Sequence, residues 1–489
     1  MRASVATGIE GLDDILNGGL TPHRLYLVEG VPGSGKTTMA MQFLMEGAAR
    51  GEKVLYVTLS ETTEELQEAA ASHGWSLDGI VIHELVPMGD QLDPESQYTM
   101  FHPSEVELAE TTHRILQEVE RLQPQRVVFD SLAEIRLLAG SLLRFRRQVL
   151  ALKQYFAGRG TTVLLLDETH VSEHGMHVHT VVHGAIELVQ MKPEYGGDRR
   201  RLRVSKMRGR AFQSGNHDYT IETGGVRVFP RLVAAEFRRE GENSTMSSGL
   251  PALDALLGGG LDRGTSTLLV GAAGTGKSSL AAHFVMSAAQ RGEHSAMFLF
   301  DESLRAMLTR SRGLGLDVEG RIREGIVEVQ AIDPGELSPG EFIHRIRQAV
   351  EQGGARVLVV DSLNGYLNAM AEEQLVLIQF HELLAYLAQM GVVTLMINAQ
   401  IGLIGQMTTT VDVSYLADTV ILLRYFEASG EVRQAISVLK KRTGPHERTI
   451  RELTISKAGL EIGPALRHYR GILTGVPQEI DPTPAYENK

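Results

Sequence analysis

The sequence contains no cysteine. Disulfide bonds, zinc sites built on thiolates and cysteine nucleophiles are therefore excluded. It also lacks an apolar run of about 18 residues or more, so no membrane-spanning helix is expected. The N-terminal stretch MRASVATGIEGLDDILNGGL has a single arginine and no long apolar segment after it, unlike a secretory signal peptide. These absences predict a cytoplasmic protein with no membrane partner.

Positive charge is also in short supply. The 48 Lys and Arg residues are outnumbered by 60 Asp and Glu residues, which gives a net charge of −12. An acidic balance disfavours a surface that coats nucleic acid, so a nucleic-acid partner is not expected. With 489 residues, 43% hydrophobic and 22% charged, the chain has the composition of two or three ordinary globular domains.

What the sequence does contain is an internal repeat. GVPGSGKTT begins at Gly30 and GAAGTGKSS begins at Gly271, with Lys36 and Lys277 241 residues apart. Three further pairs of segments match in the same order: TGIEGLDDILNGGL with SSGLPALDALLGGGL, ARGEKVLYVTLSET with QRGEHSAMFLFDES, and RVVFDSL with VLVVDSL. Several motifs repeated in one order indicate a duplication. The charged and then Ser/Gly-rich segment EFRREGENSTMSSGL separates the copies, so we predict domains at residues 1–242 and 243–489.

Each half alternates short apolar runs with segments of helical periodicity. This alternation predicts an α/β fold, with a mainly parallel twisted sheet covered by helices on both faces. Each half then becomes rich in β-forming residues. We expect RRLRVSKMRG and DYTIETGGVRVFP in the first half, and ADTVILLRYF, RQAISVLKKR and RTIRELTIS in the second, to be antiparallel strands added at one edge.

Both loops fit the phosphate-binding pattern G-x-x-x-x-G-K-[ST], and each follows an apolar strand and opens a helix. Glycines allow backbone N–H groups to surround phosphate oxygens, the lysine reaches the outer phosphates, and the hydroxyl binds Mg²⁺. We therefore predict that each half binds ATP and Mg²⁺. The predicted nucleotide-binding residues are Gly30, Gly33, Ser34, Gly35, Lys36, Thr37 and Thr38, and Gly271, Gly274, Thr275, Gly276, Lys277, Ser278 and Ser279.

Carboxylates follow the apolar runs of each half. Asp130 and Asp361 end such runs, and we predict that they hold Mg²⁺ together with Thr37 and Ser278; the alternative is that each aspartate caps a helix.

The residues expected to act in catalysis come from the loops and from the end of the second strand. Lys36 and Lys277 are expected to neutralise charge in the transition state. Glu61 in the first half, and Asp301 or Glu302 in the second, are the candidates to orient or deprotonate the nucleophile. The alternative is that these carboxylates merely begin helices.

The duplicated loop, TGIEGLDDILNGGL, SET and DES after the second strand, DSL and KMRG together resemble the KaiC family, RecA-superfamily ATPases with two domains. The resemblance extends from Thr7 to about Pro477. It implies two tandem RecA-like P-loop NTPase domains and a homo-hexamer of two stacked rings with ATP between neighbouring subunits. The residues that match those reaching a neighbour's nucleotide are Lys206 and Arg208 in the first ring, and Lys440 and Arg442 in the second; the alternative is a solvated basic strand.

The resemblance also implies a phosphate acceptor in the second half. TTTVDVSYLADTVILL aligns with the family's Ser-Thr acceptor pair and places Ser414 on the serine, but Tyr415 stands where threonine is expected. This departure puts ordered phosphorylation at two sites in question and leaves single-site transfer to Ser414 as the expectation. Thr409 and Thr410 are weaker candidates.

The expected function is thus a Mg²⁺-dependent ATPase, with water as the nucleophile in the first ring and water or Ser414 in the second, and a regulatory role through an unidentified signalling partner. Two alternatives stay open. One is a DNA-dependent RecA-like ATPase, which the basic run Arg199, Arg200 and Arg201 would favour, and the other is a nucleotide-gated scaffold. A histidine-rich segment from His170 to His183 is interpreted as a polar loop rather than a metal site, since no cysteine accompanies it.

Overall fold

The computed structural model describes residues 3–85, 103–168, 176–193, 196–237, 244–333, 335–369, 376–400, 413–474 and 476–480. Contacts within the chain divide it into two units, Met1–Arg231 and Leu232–Lys489. Leu232 and Ala234 already belong to the core of the second unit. The predicted boundary at residue 242 lies outside the described residues, and the predicted domain limits stay a prediction.

The first unit alternates strands and helices over its first two thirds. Its helices are α1 (Leu12–Ile15), α2 (Lys36–Ala49), α3 (Thr63–Ser72), α4 (Pro103–Leu122), α5 (Leu132–Ala139), α6 (Leu142–Ala157) and α7 (Met176–Val181). Its strands are β1 (Leu25–Gly30), β2 (Val54–Thr58), β3 (Ile80–Glu84), β4 (Arg126–Asp130), β5 (Thr162–Glu168), β6 (Gly184–Met191), β7 (Arg199–Met207), β8 (Asn216–Glu222) and β9 (Gly225–Phe229).

The second unit repeats this order. Its helices are α8 (Pro251–Leu256), α9 (Lys277–Gln290), α10 (Leu304–Gly313), α11 (Val318–Arg323), α12 (Pro339–Glu351), α13 (Leu363–Ala369) and α14 (Val376–Gln389). Its strands are β10 (Thr245–Met246), β11 (Leu261–Asp262), β12 (Ser266–Gly271), β13 (Ser295–Leu299), β14 (Val327–Ala331), β15 (Val357–Asp361), β16 (Val393–Ala399), β17 (Thr419–Ala428), β18 (Glu431–Lys441), β19 (Arg451–Ser456), β20 (Gly459–Ala465), β21 (Tyr469–Arg470) and β22 (Gln478–Glu479). Short 3₁₀ helices lie at Ala234–Glu236 and Ser414–Leu416.

The two large sheets have the same topology. The first has the order β3-β2-β4-β5-β1-β6-β7-β8-β9, and the second has the order β14-β13-β15-β16-β12-β17-β18-β19-β20. The first six strands of each order pair in parallel, and the last three are antiparallel. This arrangement confirms the predicted fold class of two α/β domains with antiparallel strands at one edge.

One strand direction differs from the prediction. The segment ADTVILLRYF was expected to be antiparallel, but β17 pairs in parallel with β12 and is antiparallel only to β18. Its counterpart β6 is likewise parallel to β1. In the first unit α7 lies in the connection from β5 to β6, and a crossover of this kind returns the chain to the same end of the sheet, which makes the next strand parallel.

Both faces of each sheet are covered. On β1, Tyr26 and Val28 pack with α2, whereas Leu25 and Leu27 pack on the opposite face with α5 and α6. The central strands are therefore apolar at almost every position rather than at alternate ones, as is typical of parallel sheets. No described helix is long and apolar enough to cross a membrane.

Candidate nucleotide sites

Each phosphate loop joins a central strand to a helix. β1 ends at Gly30 and α2 begins at Lys36; β12 ends at Gly271 and α9 begins at Lys277. The loops lie at the carboxyl edge of a parallel sheet, where α/β proteins bind ligands, and the unpaired N–H groups of the first helical turn favour a bound anion.

Glycine is required at both ends of each loop. A Cβ on Gly30 would lie 2.8 Å from the carbonyl oxygen of Leu188, and one on Gly271 would lie 2.2 Å from that of Leu423. The glycines that precede the helices, Gly35 and Gly276, have φ angles of 90° and 97°, which side chains rarely adopt. The sequence pattern and the backbone conformation therefore agree.

The loop lysines fold back over their own loops. Lys36 Nζ donates to the carbonyls of Gly30 at 2.8 Å and Val31 at 3.1 Å, and Lys277 Nζ donates to Gly271 at 2.8 Å and Ala272 at 2.6 Å. Burial lowers the pKa of Lys36, and it lowers the pKa of Lys277 to about 8. Nearby carboxylates, chiefly those of Asp130 and Asp361, oppose these shifts.

The other predicted loop residues lie beside these lysines. Thr38 and Ser279 are in the first turns of α2 and α9. Thr275 Oγ1 donates to the carbonyl of Ala272 at 2.9 Å, inside the second loop. The first loop is fixed differently: the Tyr219 hydroxyl of β8 donates to the carbonyl of Ser34 at 2.6 Å. Gly33 and Gly274 occupy the same place in the two loops, each with a φ of 80°.

In the first site, Asp130 lies next to the loop hydroxyl. Its Oδ2 accepts hydrogen bonds from Thr37 Oγ1 at 3.0 Å and from the Tyr56 hydroxyl at 2.5 Å. Burial raises the pKa of Asp130, and the two hydrogen bonds oppose that shift. Burial, followed by the charge of Asp130, also raises the pKa of Tyr56, so the phenol stays a donor.

Glu61 follows β2 and is half-buried. Its backbone N–H donates to Thr58 Oγ1 at 3.0 Å, and that hydroxyl donates to the Glu61 carbonyl at 2.7 Å. Thr58, the last residue of β2, therefore holds the turn that carries Glu61. Burial, and then the charge of Asp130, raises the pKa of Glu61. Asp167 and Glu168 at the end of β5 add negative charge near Lys36.

In the second site, Asp361 takes the place of Asp130. Burial raises its pKa and a hydrogen bond from Ser278 opposes that shift. Unlike Asp130, Asp361 has no tyrosine donor: its Oδ2 is buried and has no hydrogen-bond partner among the described residues. Met297 stands at the position of Tyr56, 241 residues further on, so the two sites hold the aspartate by different contacts.

The two carboxylates after β13 have different partners. Ser362 Oγ donates to Asp301 Oδ2, whereas Glu302 forms a bidentate ion pair with Arg310 of α10, with N–O distances of 2.6 and 3.3 Å. Asp301, Glu302, Arg310 and Asp361 line a cavity of about 840 Å³ together with the phosphate loop. Its remaining walls are Gly313 and Leu314 at the C-terminal end of α10, and Ile455, Ser456 and Lys457 around the turn between β19 and β20.

A model of the KaiC ATPase family matches residues 5–233 and 246–467, so both halves of the chain are matched. The chain belongs to the KaiC family of ATPases. Among proteins similar to it, the circadian clock oscillator proteins KaiC of Acaryochloris marina and Synechococcus elongatus are each 29% identical, covering 97% and 98% of this chain and 91% and 92% of the relatives. That of Parathermosynechococcus lividus is 30% identical, covering 97% of this chain and 88% of the relative.

The four basic residues predicted to act on a neighbour make matching contacts in the two halves of this KaiC-family chain. Lys206 Nζ donates to the carbonyls of His179 and Val182, and Lys440 Nζ donates to those of Ser414 and Ala417. The arginines do the same: Arg208 donates to the carbonyl of Thr180 and Arg442 to that of Tyr415, both at 3.0 Å. Each Lys-Arg pair thereby holds the segment that precedes β6 or β17.

The predicted acceptor Ser414 begins the 3₁₀ helix before β17 and is exposed, as is Tyr415. Thr409 and Thr410 lie outside the described residues, as do His170 and His174. His179, further along the histidine-rich segment, pairs with Glu29 at 2.7 Å, and His183 packs edge-on against Tyr26. The part of the chain that the structure describes contains no cluster of three metal-ligating side chains.

Sequence reasoning missed three residues that contact the predicted ones: Tyr56, Ser362 and Arg310. Tyr56 lies within an apolar strand, and its hydroxyl gives no sign of its partner. Arg310 is eight residues after Glu302, and the register of α10 brings them together. Ser362 could have been found, because a hydroxyl directly after a strand-ending aspartate is repeated in DSL of both halves.

Replacing Tyr56 by Phe should destabilise the first unit by about 1–3 kcal/mol, because the buried Asp130 carboxylate loses one of its hydrogen-bond donors. The free energy of unfolding, from urea titrations followed by circular dichroism, measures this loss. Tyr155→Phe is the matched control, since its hydroxyl makes only longer bonds of 3.2 and 3.3 Å near the surface. Equal losses in both variants would contradict a special contribution from Tyr56.

Proposed function

We propose that this chain is a Mg²⁺-dependent ATPase that assembles into a double-ring homo-hexamer, transfers phosphate to Ser414 in its second ring, and has a regulatory role through a partner protein not yet identified. One observation carries the ATPase part of the proposal. Both halves place a phosphate loop with its lysine, a strand-ending aspartate beside the loop hydroxyl, and a further carboxylate after the neighbouring strand at the same edge of the sheet.

Mg²⁺ fits the residues at both loops. Hydroxyl and carboxylate oxygens are the ligands this ion takes at phosphate loops, so Thr37 with Asp130 and Ser278 with Asp361 would hold it. The buried Asp361 Oδ2, which lacks a partner among the described residues, supports this assignment in the second site. When bound, the ion offsets negative charge on the β- and γ-phosphates.

The chain's own groups then account for hydrolysis. A water oxygen attacks the γ-phosphorus, the bond to the β-phosphate oxygen breaks, and ADP leaves. Lys36 and Lys277 stabilise charge on the phosphates, and their loops present backbone N–H groups to the same oxygens. A carboxylate takes the water proton: Glu61 in the first site, and Asp301 or Glu302 in the second. The half-buried Glu61, with its raised pKa, is suited to hold a proton.

Assembly into rings is supported by the Lys-Arg pairs. Lys206 and Lys440 lie near the ends of β7 and β18, beyond the parallel part of each sheet, and Arg208 and Arg442 directly follow these strands. Cations supplied by a neighbouring subunit stabilise transition-state charge in other ATPases and GTPases. We assign this role to the four residues. Arg208 and Arg442 are the better candidates to reach a neighbour's nucleotide, because the hydrogen bonds they make lie at the exposed surface.

Phosphate transfer is supported by the setting of Ser414. The hydroxyl-bearing residue is exposed, and its carbonyl is held by Lys440, one of the residues assigned to the neighbour's nucleotide. Because we assign Lys440 to a neighbour's nucleotide, this contact supports an acceptor close to the proposed subunit boundary. We do not propose DNA as a partner, because Arg200 and Arg201 lie within ion-pair distance of Asp198 and Asp218, which reduces the positive charge of the segment.

Changing Lys36 to Ala should abolish hydrolysis by the first site, and Lys277→Ala should abolish hydrolysis by the second. Each single variant should keep the activity of the other site, and the double variant should have none. Phosphate release measured with and without Mg²⁺ tests this. Lys53→Ala, outside both loops, is the control. A double variant that hydrolyses ATP like the original chain would refute the proposed sites.

Mixing subunits that carry different substitutions tests whether Arg208 acts on the nucleotide of a neighbouring subunit. In a chain whose second site is silenced by Lys277→Ala, Lys36→Ala subunits and Arg208→Ala subunits should each be inactive. Mixed, they should recover part of the hydrolysis, because one interface then combines an intact loop with an intact arginine. Phosphate release from mixtures, alongside sedimentation of the ATP-bound chain, is the measurement. No recovery in stable mixed hexamers would show that Arg208 acts within its own subunit.

Incubation with γ-labelled ATP should place label on Ser414. Mass spectrometry of the digested protein identifies the residue. Ser414→Ala should remove the label while phosphate release persists, whereas Tyr415→Phe should keep it. Label retained in Ser414→Ala, or absent from the unchanged chain under conditions of rapid hydrolysis, would refute this assignment.

A further inference from the structure

The two halves differ at the carboxylates that follow the second strand. At positions 241 residues apart, Ser60 corresponds to Asp301, Glu61 to Glu302, and Ala69 to Arg310. We propose that Arg310 is a positioning residue that withholds Glu302 from proton transfer, so that Asp301 is the proton acceptor of the second site while Glu61 is that of the first. This inference rests on the proposed ATPase function.

Arg310 donates hydrogen bonds to both carboxylate oxygens of Glu302. Its Nη2 lies 2.6 Å from Glu302 Oε2 and its Nε lies 3.3 Å from Oε1, and both side chains are about three quarters buried. A bidentate, partly buried guanidinium–carboxylate pair is strong and directional, so Arg310 engages both carboxylate oxygens of Glu302 and fixes their orientation. Both Glu302 oxygens are therefore directed at Arg310 rather than at a water, although Glu302 lines the same cavity as Lys277.

Asp301 keeps one oxygen available. Its Oδ2 accepts from Ser362 Oγ, which itself accepts from the backbone N–H of Gly365 at 3.1 Å. Its Oδ1 accepts no hydrogen bond from the described residues. The space around Oδ1 depends on Gly365, because a Cβ there would lie 2.7 Å from this oxygen. Asp301 is thus oriented through Oδ2, and its exposed side chain lines the cavity.

The first site has the complementary set of residues. Ser60 offers no carboxylate, and the Glu61 carboxylate accepts no hydrogen bond from the described residues. Ala69, on α3, carries no group that could pair with it. The matching aspartates Asp130 and Asp361 are 231 residues apart, and by this offset Glu134 corresponds to Gly365. The first site therefore has a side chain at the position where the second site has the glycine beside Asp301. Glu61 is the free carboxylate after β2.

The step itself is the same in both sites. As the water oxygen bonds to the γ-phosphorus and the bond to the β-phosphate oxygen breaks, the water proton passes to Asp301 Oδ1 in the second site and to the Glu61 carboxylate in the first. ADP and phosphate then leave, and the carboxylic acid returns its proton to solvent.

The second site is tested in a Glu61→Gln background, which silences the first site without removing nucleotide binding. There Asp301→Asn should lower phosphate release by about 10²–10⁴-fold, the usual contribution of a general base. Adding Arg310→Ala to Asp301→Asn should restore at least about tenfold, because Glu302 is released. Adding Glu302→Gln to that pair should abolish the recovery, which identifies Glu302 as the rescuing group.

The first site is tested by the reverse change, in an Asp301→Asn/Glu302→Gln background. Ala69→Arg should lower phosphate release about as far as Glu61→Gln does, by about 10²–10⁴-fold, because the new guanidinium pairs with Glu61. Ala69→Gln, similar in length but uncharged, should retain most of the activity. Binding of a fluorescent ATP analogue should stay within about twofold in all these variants, which separates lost catalysis from lost folding or binding.

Failure of rescue in a variant that binds the analogue normally would overturn the role of Arg310. Loss of analogue binding on Arg310→Ala alone would also overturn it, since Arg310 would then be a nucleotide ligand. These outcomes differ from failure of the proposed function, in which the unchanged chain would release no phosphate at all.

Discussion

The close approach of each phosphate loop to the neighbouring strand is the constraint on which both sites depend. At Gly30 and Gly271 the backbone lies so near a carbonyl of β6 or β17 that no Cβ fits. The loop therefore lies close against the central strands of the sheet. Its lysine donates to carbonyls of the same loop, and its hydroxyl donates to the aspartate at the end of β4 or β15. Burial of those aspartates, which raises their pKa, follows from the same position.

The phosphate loops, their carboxylates and the fold class could be predicted from the sequence, because local geometry determines them. Glycines with required conformations, lysine and strand-ending carboxylates are fixed by local geometry, and local geometry leaves a pattern such as GVPGSGKTT. Because the duplication repeats these motifs in the same order, each half supports the fold class predicted for the other. The direction of β17 was not predictable from its composition, because strand direction is decided by the connection before it, whose residues carry no comparable pattern.

The contacts that distinguish the two sites could not be predicted. The Tyr56–Asp130 bond joins residues 74 positions apart on neighbouring strands, and it depends on the register of β2 against β4. The Glu302–Arg310 pair depends on the pitch of α10 relative to the turn before it. Such contacts arise from tertiary packing, so two halves with nearly the same motifs surround the phosphate loop with different electrostatics.

The fit of Gly365 against Asp301 also bears on how the two halves could have diverged. Gene conversion between them would copy a short tract, and a tract carrying Glu134 into position 365 would place a side chain where a Cβ alone already lies 2.7 Å from the carboxylate. Such a replacement would displace the Asp301 side chain, so the two halves cannot be made identical at this position without disturbing the second site.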